Sequence, residues 1–166
     1  MSRRLLMRIG LALIVLMVAA GPTLAAQLRF TAVLKGANER PTPVDTNAAG
    51  VAKFTISPDD SSITYRLIVA NIDGVTQAHI HCGTPDVAGP VVVFLYGFNA
   101  TGVTVNGILA EGTITEANVI PRPDSAACPG GVATLADVIA KMRSGGAYAN
   151  VHTLAWPAGE IRGPIE

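Results

Sequence analysis

Residues 77–83 read Gln-Ala-His-Ile-His-Cys-Gly. Side chains on an extended strand alternate between two faces, so His79 and His81 share one face while Ala78 and Ile80 share the other. The chain has 3 histidines, and the third, His152, lies in Asn150-Val151-His152-Thr153. On that second stretch Tyr148, Asn150 and His152 fall on one face, and Ala149 and Val151 on the other. The small apolar residues of both stretches predict a core-facing side, which places the three imidazoles on the outward, polar side of their strands. If the two strands are neighbours, the imidazoles converge.

Working outward, the chain alternates almost everywhere with period two. Leu28, Phe30, Ala32 and Leu34 oppose Arg29, Thr31, Val33 and Lys35, the pattern of a strand with one buried face. Residues 36–47 are polar and hold Pro41 and Pro43, so they read as a loop in which Glu39 and Arg40 are solvated. Ala52, Phe54 and Ile56 form the next apolar face, and Ile63, Tyr65, Leu67 and Val69 the one after. Between them Ser57-Pro58-Asp59-Asp60 is a turn, since proline presets φ and aspartate bonds its own backbone. The pair reads as an antiparallel hairpin, and Asn71–Gly74 as a further turn into the histidine strand.

Beyond residue 83 a loop rich in glycine and proline runs to Pro90, followed by the apolar run Val91–Tyr96, which predicts a strand covered on both sides. A glycine-rich connection spans 97–106. Another strand is expected over 107–115, with Ile108, Ala110, Gly112 and Ile114 on one face. One segment breaks the β pattern: Thr134 can cap a helix with Asp137 as the acidic partner of a capping box. Leu135, Val138, Ile139 and Met142 then recur at helical spacing, Lys141 and Arg143 sit in the last turn, and Gly145 or Gly146 ends it. The expected fold is all-β: an antiparallel β-sandwich or flattened Greek-key barrel with one short helix near residues 135–144. The helix stripe is explained by packing on the sheet.

Residues 1–26 read as a signal peptide. Arg3, Arg4 and Arg8 precede the apolar run 9–20, Gly21-Pro22 break it, and small residues lead to a cut after Ala25 or Ala26. A retained anchor is the alternative, but the run is short of the about 20 residues a span needs. The expected product, residues 27–166, is secreted or periplasmic, with no stable membrane insertion after cleavage. The whole chain carries 12 basic and 12 acidic residues; loss of the three leader arginines leaves 9 against 12, a formal charge of −3, which disfavours nucleic acid as a partner. Cys82 and Cys128 both remain. In an oxidising compartment such a pair is expected to be bridged. The competing reading, Cys82 as a soft metal ligand beside His81, is disfavoured because its side chain points away from both histidines.

These motifs together resemble a known family. Gln77–Gly83 followed by Gly89-Pro90-Val91-Val92, then Ala147–Thr153 and Pro157–Gly163, with the opening Leu28–Leu34, Asn38–Pro41 and Gly50, are similar to the CHRD domain, the chordin-type module of many exported bacterial proteins. Ala149 stands where a valine is usual. The resemblance implies an immunoglobulin-like or superoxide-dismutase-like fold over the mature chain, an extracellular setting and no established enzymatic activity. The His-x-His strand is also similar to that of copper-zinc superoxide dismutase, whose dual-metal site needs more histidines than the three present here.

Two classes of function follow. In the first, His79, His81 and His152 bind one copper or zinc ion, since imidazole suits both. Glu160 is then a candidate fourth ligand or an acceptor for a ring N–H, and Asn150 and Thr153 are candidates to orient the rings. Such a site is expected to weaken as the imidazoles protonate near their ordinary pKa of about 6.5. In the second, the chain is a non-catalytic extracellular binding or structural module whose histidines only hydrogen-bond, with a protein or small ligand meeting loops 36–47, 83–90 or 97–106. The serines have no histidine near them in sequence, and no nucleophile elbow or phosphate-binding loop is present. Any catalysis would be metal-dependent.

Overall fold

The computed structural model describes residues 27–166, so the expected signal peptide lies outside the described residues. Seven strands follow in order: β1 Arg29–Lys35, β2 Ala49–Ile56, β3 Ile63–Cys82, β4 Val91–Tyr96, β5 Val103–Ile114, β6 Ala147–Thr153 and β7 Ile161–Pro164. One helix, α1 Leu135–Arg143, lies between β5 and β6. All pairings are antiparallel, and the order β2-β1-β7-β6-β3 closes on itself because β3 also pairs β2. The barrel form of the expected fold is therefore what the chain adopts, with β4 and β5 as flanking strands.

β3 makes this closure possible. Its first half pairs β2 in unbroken register from Ile56↔Ile63 to Ala49↔Ala70 and carries β5 on its other side. Its second half pairs β6 from Val75↔Thr153 to Cys82↔Ala147 and carries β4 on its other side. The turn expected at Asn71–Gly74 is instead a bend inside one 20-residue strand. Asn71 and Gly74 adopt left-handed backbone, φ 54° and 63°, and the ladders on this stretch slip between Val69 and Ile72, between Ile72 and Val75, and between Val75 and Gln77. Polar asparagine and glycine tolerate that conformation, so the strand kinks without ending.

The period-two faces of β1, β2 and the first half of β3 match the expectation. Phe30, Leu34, Phe54, Ile56, Ile63, Leu67, Ile80, Val93 and Ile161 form one core with the helix stripe Leu135, Val138, Ile139 and Met142. Thr134 and Asp137 close the expected capping box, each side chain bonding the other's backbone N–H. The bidentate Arg143–Asp60 pair, 2.7 and 2.8 Å, ties the helix end to the β2–β3 turn.

Two strand faces differ from the sequence reading. Phe94 is 44% exposed, so β4 is not covered on both sides. On β5 the partners jump from Leu67↔Ala110 to Ile68↔Ile108. This bulge leaves Ile108 half exposed and turns Leu109 toward the core. Cys82 and Cys128 form the expected disulfide, both buried, linking the end of β3 to the 121–131 segment across 46 residues. Chain-entropy arguments put the stabilisation by a loop of that size at about 4 kcal/mol.

The barrel closes between β1 and β7 at Gly163. A Cβ there would sit 2.2 Å from the Val33 carbonyl oxygen, so no side chain fits between the two backbones. Gly163→Ala is expected to destabilise the protein by more than about 3 kcal/mol, because backbone must move on both sides. Gly97→Ala, where an added methyl meets nothing within 4 Å, should change stability by less than about 0.5 kcal/mol. Urea denaturation of the two variants beside the parent checks the contrast.

Candidate metal centre

On β3, Ala78, Ile80 and Cys82 point into the barrel and His79 and His81 point out of it. β6 lies alongside with Gln77↔His152, His79↔Asn150 and His81↔Tyr148 as partners. β7 continues the same outer face with Asn150↔Arg162. The three imidazoles, Tyr148, Asn150 and Arg162 thus form one polar layer on the outside of a three-strand wall.

Outward does not mean exposed here. His79, His81 and His152 are 2%, 8% and 7% accessible, and every residue of β6 is buried. Loop 83–90 folds back over the layer, held by Arg162, which donates to the Val87 and Pro85 carbonyls. Its Gly89 carbonyl accepts from His81 Nδ1 at 2.8 Å. On the other flank the Pro157 carbonyl accepts from His152 Nδ1 at 2.9 Å. Phe94 stands edge-on to His79, with ring centroids 4.5 Å apart. Tyr148 is sandwiched, with His81 stacked at 4.8 Å on the β3 side and the Arg162 guanidinium 4.2 Å from its centroid on the β7 side.

A carbonyl can only accept, so the neutral rings of His81 and His152 carry their proton on Nδ1 and present a bare Nε2. His79 Nδ1 lies 3.1 Å from His152 Nε2 and donates to it. Nε2 of His79 and Nε2 of His81 are buried with no hydrogen-bond partner in the protein. Among the described residues these three histidines form a cluster able to hold a metal ion, with their ligand atoms within 4.8 Å of one another. Two buried lone pairs without donors, with the His81 and His152 rings oriented through Nδ1 by backbone carbonyls, leave the triad geometrically able to chelate an ion.

The surroundings keep the rings neutral. Burial, with the neighbouring His152 and His81, pushes His79 down from 6.5 to about 3. Burial dominates for His81 too, lowering it to about 4 against the opposing Gly89 hydrogen bond, and it lowers His152. The protonation expected near pH 6.5 is therefore displaced well into the acid range.

The remaining candidates have other partners. Glu160 accepts from the Thr46 hydroxyl on one carboxylate oxygen and from the Thr153 hydroxyl on the other, both at 2.7 Å. Asn150 donates to Glu39 Oε1 at 2.5 Å and to the Ile161 carbonyl. Glu39, expected to be solvated, is only 4% accessible, and burial raises it to about 7 despite the opposing Arg162, Asn150 and Arg40. Arg40 is partly buried, paired with Asp86 at 3.2 Å. Loop 36–47 lies against this polar layer through these contacts. Tyr148 lies on the histidine face that the alternation of β6 gives it, and Arg162, opposite Asn150, is the residue of this layer that the sequence analysis does not place. The Gly89 and Pro157 carbonyls have no side-chain signature.

No helix among the described residues is long and apolar enough to cross a membrane. No curated protein and no solved structure shows a significant match to the chain. The family model of the CHRD domain matches residues 30–165, from the second residue of β1 to the last buried residue after β7. The chain therefore belongs to the CHRD domain family.

Proposed function

We propose that the chain is a non-catalytic binding or structural module working outside the cytoplasm, in which the three imidazoles form a neutral hydrogen-bonded brace. The observation that carries this reading is the 3.1 Å His79–His152 hydrogen bond. It links β3 to β6 through side chains, and its donor and acceptor roles follow from the Pro157 carbonyl. The enclosure of the rings argues against substrate access, and the leader expected from the sequence of residues 1–26 and the disulfide support an oxidising compartment.

Neutrality gives this reading a pH test. The histidines have folded pKa values below 6.5, so the unfolded chain binds more protons than the folded one below that pH. Stability must fall on acidification from 6.5 toward the folded values of about 4 and about 3. Glu39 acts oppositely: raised from 4.5 to about 7, it binds an extra proton in the fold and stabilises it as pH falls through that window. The two imidazoles at about 3 and about 4 outweigh the one carboxyl and His152 acts in the same direction, so the net slope near pH 5.5 should be at least about 1 kcal/mol per pH unit. Glu39→Gln should steepen the acid loss by removing the opposing uptake. Denaturation free energies from pH 7.5 to 4.5 check both, and a flat profile for the parent would sink the neutral brace.

A second reading is favoured by the two Nε2 atoms without partners. In it the brace is the metal-free form of a site in which His79, His81 and His152 hold one copper or zinc ion. Calorimetric titration at pH 7 should then show one equivalent bound, lost when His79 and His81 are both replaced by alanine. Because the imidazoles are already neutral, His79 and His81 have no proton to release, and the binding enthalpy should be nearly independent of the buffer's ionisation enthalpy. Buffer-dependent enthalpy, or binding retained by the double variant, would place the ion elsewhere.

A further inference from the structure

We infer that the histidine cluster selects monovalent copper over zinc. The inference rests on the metal-holding reading and follows from charge, ligand number and enclosure.

Charge comes first. The donor set is three neutral imidazoles and contributes no negative charge. The nearest acidic candidates are engaged elsewhere, Glu160 by two threonine hydroxyls and Glu39 by Asn150. The Arg162 guanidinium lies 4.2 Å from the Tyr148 ring centroid, and Tyr148 stacks on His81 at 4.8 Å, so a cation already sits against this layer. An ion in this layer therefore gains no neutralising charge from its ligands, in a buried setting that also holds Arg162. The desolvation cost of a buried ion scales as the square of its charge, so a divalent ion is penalised about fourfold more than a monovalent one.

Ligand number points the same way. Zinc in proteins takes four ligands, and a three-histidine zinc site completes its shell with water or substrate. Here the rings are covered by Phe94, Tyr148, loop 83–90 and the Pro157 turn, which leaves accessibilities of 2–8%. A fourth ligand would have to displace one of these covers. Monovalent copper is satisfied by two or three donors, so three imidazoles complete its shell without a water. The ring orientations are also held from outside the cluster, by carbonyls on the Nδ1 atoms of His81 and His152, so expansion to a tetrahedron would strain the hydrogen bonds that seat the loops.

The test is anaerobic titration of the purified protein with monovalent copper, buffered by a chromophoric copper(I) chelator, beside calorimetric titration with zinc sulfate. X-ray absorption of the copper-loaded protein then reads the coordination number. The expected result is one copper(I) bound by three nitrogen donors, more tightly than zinc. His81→Gln should lose copper(I) affinity, with near-ultraviolet circular dichroism confirming that the variant is folded. Should His81→Gln fail to fold, the coordination number of the parent still decides. Zinc binding of equal or greater strength, or a four-coordinate copper with an oxygen donor, would overturn the selectivity while leaving the metal-holding reading intact. Failure of the folded parent to bind either ion would overturn both.

Discussion

The bend in β3 is the constraint on which the rest depends. Ile63, Leu67 and Val69, all odd-numbered, face the core in its first half; Ala78, Ile80 and Cys82, all even-numbered, face it in the second. An unkinked strand would carry the odd parity through and drive His79 and His81 into the apolar interior. Three slips intervene, as inward residues step from Val69 to Ile72 to Val75 to Ala78, and an odd number of one-residue slips inverts the faces. The same kink hands β3 from β2 to β6, which closes the barrel. Closure and the outward aim of the histidines are thus one event.

Outward aim creates a problem that the loops solve. A wall carrying three imidazoles, a carboxamide, a phenol and a guanidinium would be well hydrated if bare. Covered, each buried polar group needs a partner or costs stability. Arg162 illustrates the solution: its charge stacks on Tyr148 while its N–H groups seat loop 83–90. Glu39 and Asn150 satisfy each other, as do Glu160, Thr46 and Thr153. Two nitrogens, Nε2 of His79 and of His81, stand outside this accounting. They are buried acceptors that the hydrogen-bonded brace leaves without a donor.

Much of this was legible in the sequence and some was not, for a physical reason. Alternation identified the strands, the capping box identified α1, and parity assigned the faces of His79, His81 and His152 correctly. A turn at Asn71–Gly74 would reset parity just as the three slips do, so a β3 cut in two and the continuous, kinked β3 give the histidines the same face. The Leu109 bulge had no compensating error, and Ile108 was assigned to the wrong side. Parity speaks of faces and is silent on layers. Glu39 and Arg40 look solvated in a polar, proline-bearing loop because nothing local shows that the loop lies on Asn150 and Asp86. The histidines looked exposed for the same reason.

The cluster joins segments that are remote along the chain. His79 meets His152 across 73 residues, and Glu39 meets Asn150 across 111. Such contacts carry a loop-closure cost that only the completed barrel can offset, so they cannot form as a local motif ahead of the fold. Bracing or metal-holding, the three imidazoles share a geometry only after β1 and β7 have met at Gly163 and loop 83–90 has docked on Arg162. Their arrangement reports on the closed barrel as a whole. A ligand that binds it would act on the entire fold, since it would stabilise the one state in which β3 and β6 are paired and both covering loops are seated.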